Sequence, residues 1–184
     1  MKDNDVVELL LRQHEEIKGL FDEVENAASE DKAEAFQRLV RLLAVHETAE
    51  EEIVHPYARR RIDHGDEVVD ERLAEENAAK DMLTQMEKDG VDHPQFATNL
   101  ATLRKAVVEH AEHEELEEFP RLRQATGDKE RQAMAIGVKA AEAMAPTHPH
   151  AGVETAPKNL LAGPPAAIMD RTRDVIRKAM GKRS

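Results

Sequence analysis

Apolar residues recur along the first two thirds of the chain in steps of three and four, the period of an α-helix with one buried face. Four segments carry the pattern. The first spans residues 6–28, with Val7, Leu10, His14, Ile17, Phe21 and Val24 on one stripe. The second spans 32–61, with Phe36, Leu39, Leu43, His46, Glu50, Ile53 and Tyr57. The third spans 67–88, with Val69, Leu73, Glu76, Ala79, Leu83 and Met86. The fourth spans 94–125, with Phe96, Leu100, Leu103, Val107, His110 and Glu114. Asp31 is a candidate cap for the second helix, Gly90 a stop for the third, and Pro94 lies near the start of the fourth. After Gly127, two shorter helices are expected, over 128–144 and 165–180, separated by a segment dense in proline and glycine.

Each stripe has histidine or glutamate at mid-helix, where an apolar residue belongs. A buried carboxylate without a partner costs several kcal/mol or more, so six such positions demand compensation. A metal cluster supplies it, and a closed His–Glu hydrogen-bond network is the alternative. The motif is also duplicated: His46-x-x-x-Glu50 and His110-x-x-x-Glu114 are each followed by a proline ten places after the histidine, Pro56 and Pro120. Residues four apart share a helix face, so each motif aims one imidazole and one carboxylate the same way. The repeat extends to His14 and Glu76, 62 places apart, against 64 for the His46–His110 pair. Two helical hairpins in succession, each contributing ligands, account for this; two extra residues in a loop account for the unequal offsets.

Composition narrows the chemistry. The 184 residues suffice for one domain with an appendage, divided here as 1–126 and 127–184. Cysteine and tryptophan are absent and aromatics make up 3%. Thiolate metal sites and iron–sulfur clusters are therefore excluded, and an aliphatic core is expected. The lack of cysteine fits a reducing compartment; with neither an apolar run of membrane-spanning length nor a signal-peptide pattern, a soluble cytoplasmic protein that does not engage a membrane is expected. The net charge of −12 argues against nucleic acid as a partner. It is unevenly spread: residues 124–184 carry ten Lys/Arg and six Asp/Glu, leaving −16 on residues 1–123. A mildly basic tail could dock on an acidic body, or simply be solvated surface.

Among metal architectures, the ferritin-like pattern needs two Glu-x-x-His motifs, and only Glu52–His55 has that spacing. The His-Glu-x-x-His of zinc proteases does not occur. Mixed imidazole and carboxylate ligands suit iron, manganese or zinc. What remains is one histidine on the first helix, His-x-x-x-Glu on the second and fourth, and a ligand on the third. In this ordered set, above all in His-x-x-x-Glu-Glu followed by proline, residues 5–125 resemble the hemerythrin-like family, the HHE cation-binding domain.

The resemblance implies an all-α fold, an up-down-up-down antiparallel four-helix bundle, here with a C-terminal helical extension. It implies two iron ions joined by an oxo or hydroxo bridge, with Glu50 and Glu114 bridging and His14, His46 and His110 as terminal ligands. Where the family's oxygen carriers have two histidines on the third helix, this chain has Glu76 and Lys80; Glu76 can replace one, and an ammonium cannot replace the other. Glu47 is a further candidate, or a solvated glutamate. Tyr57, three turns beyond His46, is a candidate phenolate or outer hydrogen-bonding partner, or a core tyrosine. His113 is a candidate for support behind the ligands, or a surface residue. His55 reads as packing or a bundle-end residue, His64 and His93 as loop residues, and His148 and His150 as part of the proline-rich segment or as residues closing over the site. No catalytic residue and no organic-cofactor motif is singled out.

An anionic ligand set favours ferric iron. The expected function is therefore redox chemistry on peroxide, dioxygen or nitric oxide, with catalase-like turnover favoured, by a monomer or weak homodimer. An iron or oxygen sensor is the alternative, and iron storage ranks last.

Overall fold

The computed structural model describes residues 4–143 and 164–181. Among these every regular element is helical. Helix α1 is Val6–Asn26, α2 is Ser29–Ala49, α3 is His55–Arg61, α4 is Gly65–Asp89, α5 is Phe96–His113, α6 is Phe119–Ala125, α7 is Asp128–Glu142 and α8 is Pro165–Ala179. The expected end of the fifth helix at Met144, and His148 and His150, lie outside the described residues. No described helix is long and apolar enough to cross a membrane.

The second and fourth expected helices are each continuous but not uniformly α. Glu50–Val54 (π1) joins α2 to α3, and Glu114–Glu118 (π2) joins α5 to α6; both are π-helical turns. The duplicated prolines explain them. Pro56 and Pro120 have no N–H to donate, and a proline ring collides with the carbonyl four residues back in a regular α-helix. One extra residue in the preceding turn relieves the collision, and the His55 and Phe119 N–H groups reach back five residues to the Glu50 and Glu114 carbonyls. The extra residue advances the inward face by one position. Ala58 rather than Tyr57 is therefore fully buried in the first copy, and Glu118 rather than Glu117 in the second.

Start and stop signals explain the rest. The Asp5 side chain accepts from the Val7 N–H at 3.0 Å and caps α1. Asp31 does not cap α2: that helix starts earlier, at Ser29, and Asp31 sits in its first turn, where a carboxylate favours the positive end of the helix dipole. Gly90 ends α4 at φ 78°, in a region that suits glycine. The α4–α5 connection over 90–95 is longer than the α1–α2 connection over 27–28, which leaves room for the two extra residues of the repeat. The tight α3–α4 turn brings Gly65 against backbone: a Cβ there would lie 2.5 Å from the Ala58 carbonyl oxygen and 2.9 Å from the Arg59 Cα. Gly65→Ala is expected to lower stability by about 1–3 kcal/mol through overpacking, read as a lower midpoint in urea unfolding.

Helix α1 packs on α2, α5 and α7; α4 packs on α3 and α5; α8 lies against α2 and α7. One largely aliphatic core runs through α1, α2, α4, α5, α7 and α8, from Leu10 and Phe21 through Leu39, Leu43, Leu83 and Leu103 to Met134, Ile168 and Ile176, and a smaller cluster of Ala58, Ile62, Val68 and Val69 packs the α3–α4 turn. The last two helices thus share the core of the first four segments. The basic tail meets the acidic body at π1 and at the start of α1: Arg177 of α8 grips both oxygens of Glu52 in π1, each at 3.1 Å, Arg173 reaches Glu52 at 2.9 Å, and Arg131 of α7 bonds Asp5 at 2.7 Å.

Candidate metal centre

All six residues expected as ligands are buried, together with Glu47; Glu50 and Glu114 are 0% exposed. Helices α1, α2, α4 and α5 and the two π turns bring them into two groups. His14, His46, Glu50 and Glu114 form the first, and Glu47, Glu76 and His110 the second; within each group, one ligand-type atom per residue lies within 4.8 Å of the others. The Glu114 Oε2 atom connects the groups, at 3.3 Å from the His14 Nε2 and 3.5 Å from the His110 Nε2. In the other copy of the motif, Glu50 Oε2 is 3.3 Å from His46 Nε2.

The imidazoles share one orientation. The Nδ1 atoms of His14, His46 and His110 donate outward, to Glu115 at 2.8 Å, to the Gln13 side-chain oxygen at 2.8 Å and to Glu75 at 3.0 Å. A carboxylate or amide oxygen only accepts, so in a neutral ring the proton sits on Nδ1 and Nε2 keeps a lone pair directed inward. There it meets carboxylate oxygens that are also lone-pair donors. His14 Nε2, His110 Nε2, Glu47 Oε2 and both oxygens of Glu50 and Glu114 are buried without a hydrogen-bond partner. Such orphaned acceptors are expensive unless a cation lies among them. The residues therefore fit a metal bound through imidazole nitrogen and carboxylate oxygen, whereas a closed hydrogen-bond network would leave none of these atoms unpaired.

Protonation responds to the same crowding. Burial, reinforced by the charges of Glu114 and Glu76, holds the Glu50 carboxyl well above the ordinary range. Burial and Glu76 push Glu47 up to about 8. Burial, with His14 alongside, holds His46 well below a free imidazole. Burial also works against the His110 imidazolium, but Glu114 and Glu75 outweigh it and hold it up at about 10. At pH 7 the metal-free centre thus puts protons where the cation would lie, on His110 and Glu47, and metal uptake must release them to expose the inward lone pairs. Affinity is expected to rise about tenfold per pH unit for each proton displaced, up to these pKa values. Calorimetric titration with metal in buffers of different ionisation enthalpy should show proton release at pH 7; a heat independent of buffer would contradict this.

Other expected residues fall elsewhere. Tyr57 belongs to neither group; it is half-buried beneath the Arg60 guanidinium, 5.4 Å from its ring centroid, because the π turn rotates it off the inward face. His113 is exposed and bonds Glu75 at 2.8 Å, behind the carboxylate that orients His110. His64 and His93 are exposed.

His55 is not mere packing. Its Nδ1 donates to Glu118 at 3.1 Å and its Nε2 to Glu76 at 2.6 Å, all three buried. Burial opposes its charge, but the bonds to Glu118 and Glu76 prevail and hold it up at about 10. The repeat relates His55 to Phe119, which stacks on His14 at 5.7 Å, just as it relates Glu76 to His14. One copy has an aromatic ring on a histidine, the other an imidazolium on a glutamate. The supporting residues Gln13 and Glu75 also escaped notice, although they stand 62 places apart, the same offset as His14 and Glu76. Extending the repeat by one position would have found both.

Comparisons with known proteins agree with this geometry. The sequence profile of the hemerythrin HHE cation-binding domain matches residues 5–122. A protein named DNA nickase from Nostoc sp. (strain PCC 7120) is 25% identical over 142 residues, a match that takes in 77% of this chain and 40% of that protein. No solved structure matches the chain.

Proposed function

We propose, because this chain belongs to the hemerythrin HHE cation-binding family, that its two ligand groups hold an oxygen-bridged pair of iron ions at the middle of an up-down-up-down antiparallel four-helix bundle. The bundle consists of α1, α2 with α3, α4, and α5 with α6. The observation that carries this reading is the set of inward-facing, unpaired imidazole and carboxylate atoms, with Glu114 reaching both groups. Three histidines and four glutamates would surround the pair: His14, His46, Glu50 and Glu114 on one side, Glu47, Glu76 and His110 on the other.

Four carboxylates favour ferric over ferrous iron, so redox turnover of small oxygen species is proposed rather than reversible oxygen carriage, with peroxide disproportionation the favoured case. Iron bound here would supply the electron transfer. The chain holds the ligands at fixed spacing, and His55 and Glu118 keep a proton beside Glu76. A crevice beside His14, His46, Glu47 and His110, walled by Ile17, Lys18, Val107 and Ala111, favours a small molecule. The activity named for the Nostoc relative is not adopted, because a net charge of −12 disfavours contact with a polyanion.

The test is oxygen evolution from hydrogen peroxide by iron-loaded protein, alongside anaerobic reduction and re-exposure to air. Peroxide consumption with irreversible reoxidation is expected; a stable, reversible oxy-spectrum would overturn the reading in favour of a carrier. A second reading, as an iron or oxygen sensor, is supported by the ion pairs that tie α8 to Glu52, two residues from Glu50. It predicts that iron alters protease sensitivity within residues 145–184, and unchanged cleavage would remove it.

A further inference from the structure

The two ligand groups differ in how their carboxylates are held before any metal arrives. In the first group, no oxygen of Glu50 or Glu114 has a hydrogen-bond partner. In the second, both oxygens of Glu76 are occupied: Oε1 accepts from His55 at 2.6 Å and Oε2 from the Lys80 ammonium at 3.1 Å. Lys80 stands one turn beyond Glu76 on α4, so the two share a face, and its side chain is only 16% exposed. The ammonium also donates to Glu51 of π1. Lys80 thus bridges a carboxylate of the ligand group and one outside it.

We propose that Lys80 acts as a built-in cation that makes the two metal positions unequal. The group His14, His46, Glu50 and Glu114 takes a metal ion first and tightly. The group Glu47, Glu76 and His110 takes one only when Lys80 gives up Glu76, and so holds it more weakly. The inference rests on the two-metal reading and adds an order of filling to it. The physical reason is competition for one carboxylate: a partly buried ammonium in contact with Glu76 offsets much of the attraction that an incoming cation would feel. Glu51 sets the strength of that competition. It already bonds the ammonium and remains as an acceptor when Glu76 is needed elsewhere, so Lys80 can release Glu76 without becoming a buried unpaired charge.

The test is anaerobic calorimetric titration of the full chain with Fe2+. The unsubstituted protein should bind two equivalents in separate steps, the second at least about tenfold weaker. Lys80→Met should tighten the second step by at least about tenfold, with the first changed less than about threefold. Glu51→Gln should do the reverse and weaken the second step, because Lys80 then has Glu76 as its main acceptor. Two equal steps, or a second step unmoved by Lys80→Met, would overturn the inference while leaving the two-metal reading intact. Fewer than two equivalents at saturation would overturn both. Should circular dichroism show Lys80→Met unfolded, Glu51→Gln decides alone: an unchanged or tighter second step refutes the proposal.

Discussion

Glu114→Ala is expected to remove most of the bound metal and to destabilise the fold in the same stroke. The Glu114 Oε2 atom is the nearest carboxylate oxygen to both His14 Nε2 and His110 Nε2, at 3.3 and 3.5 Å, and the side chain is 0% exposed. Its truncation takes a ligand from the first group and cuts the link to the second. The carboxylate is held well below the usual range: burial pushes it up, but His110 and His14 prevail. It is therefore ionised in the folded chain at neutral pH, and its loss leaves the His110 imidazolium with Glu75 alone and takes from His14 the carboxylate at its inward nitrogen. Breaking a buried pair from one side typically costs about 3–5 kcal/mol. Iron per chain after dialysis should fall well below one, and the midpoint of thermal unfolding should drop by about 10 °C, at roughly 2–4 °C per kcal/mol for a domain of this size. Glu50→Ala should behave alike. Unchanged iron content in both variants would contradict the ligand assignment.

Metal removal is expected to have the second large effect. A ligand that binds only the folded state stabilises it by about 4 kcal/mol at a thousand times its dissociation constant. Chelation removes that contribution and leaves the carboxyls of Glu47 and Glu50 buried without a cation, a cost that burial first, and neighbouring carboxylates second, register in their raised pKa values. The chelated protein should therefore melt about 10 °C lower, and re-addition of Fe2+ should restore the midpoint. Lowering the pH should have the same direction of effect on the loaded protein, because protons compete for His110 and Glu47 as they bind. Scanning calorimetry with and without chelator, across a pH series, checks both.

Much of this arrangement was legible in the sequence because burial and helical period leave the same mark. A stripe with Leu10, His14 and Ile17, or with Leu43, His46 and Glu50, predicts both a helix and an inward polar group, and the structure places those residues inward. The duplicated proline was visible too, but its consequence was not. Periodic reading assumes 3.6 residues per turn throughout, and the π turns at Glu50–Val54 and Glu114–Glu118 each add one residue. That shift moved Tyr57 off the inward face and put Glu118 onto it. His55 was missed for a related reason: its repeat partner is Phe119, and only the change from His14 to Glu76 across the repeat makes an imidazole useful there. Asp31 shows the ordinary uncertainty of helix starts, since a carboxylate suits either the cap or the first turn.

The orphaned inward atoms of His14, Glu47, Glu50, Glu114 and His110 are what the whole account explains, and locating the metal itself tests that most directly. Crystals of iron-loaded protein, measured on both sides of the iron absorption edge, should show two anomalous peaks. One belongs among His14, His46, Glu50 and Glu114, the other among Glu47, Glu76 and His110, with Glu114 between them. Iron-loaded crystals with no anomalous density inside either group, or with iron held only at surface carboxylates, would contradict it.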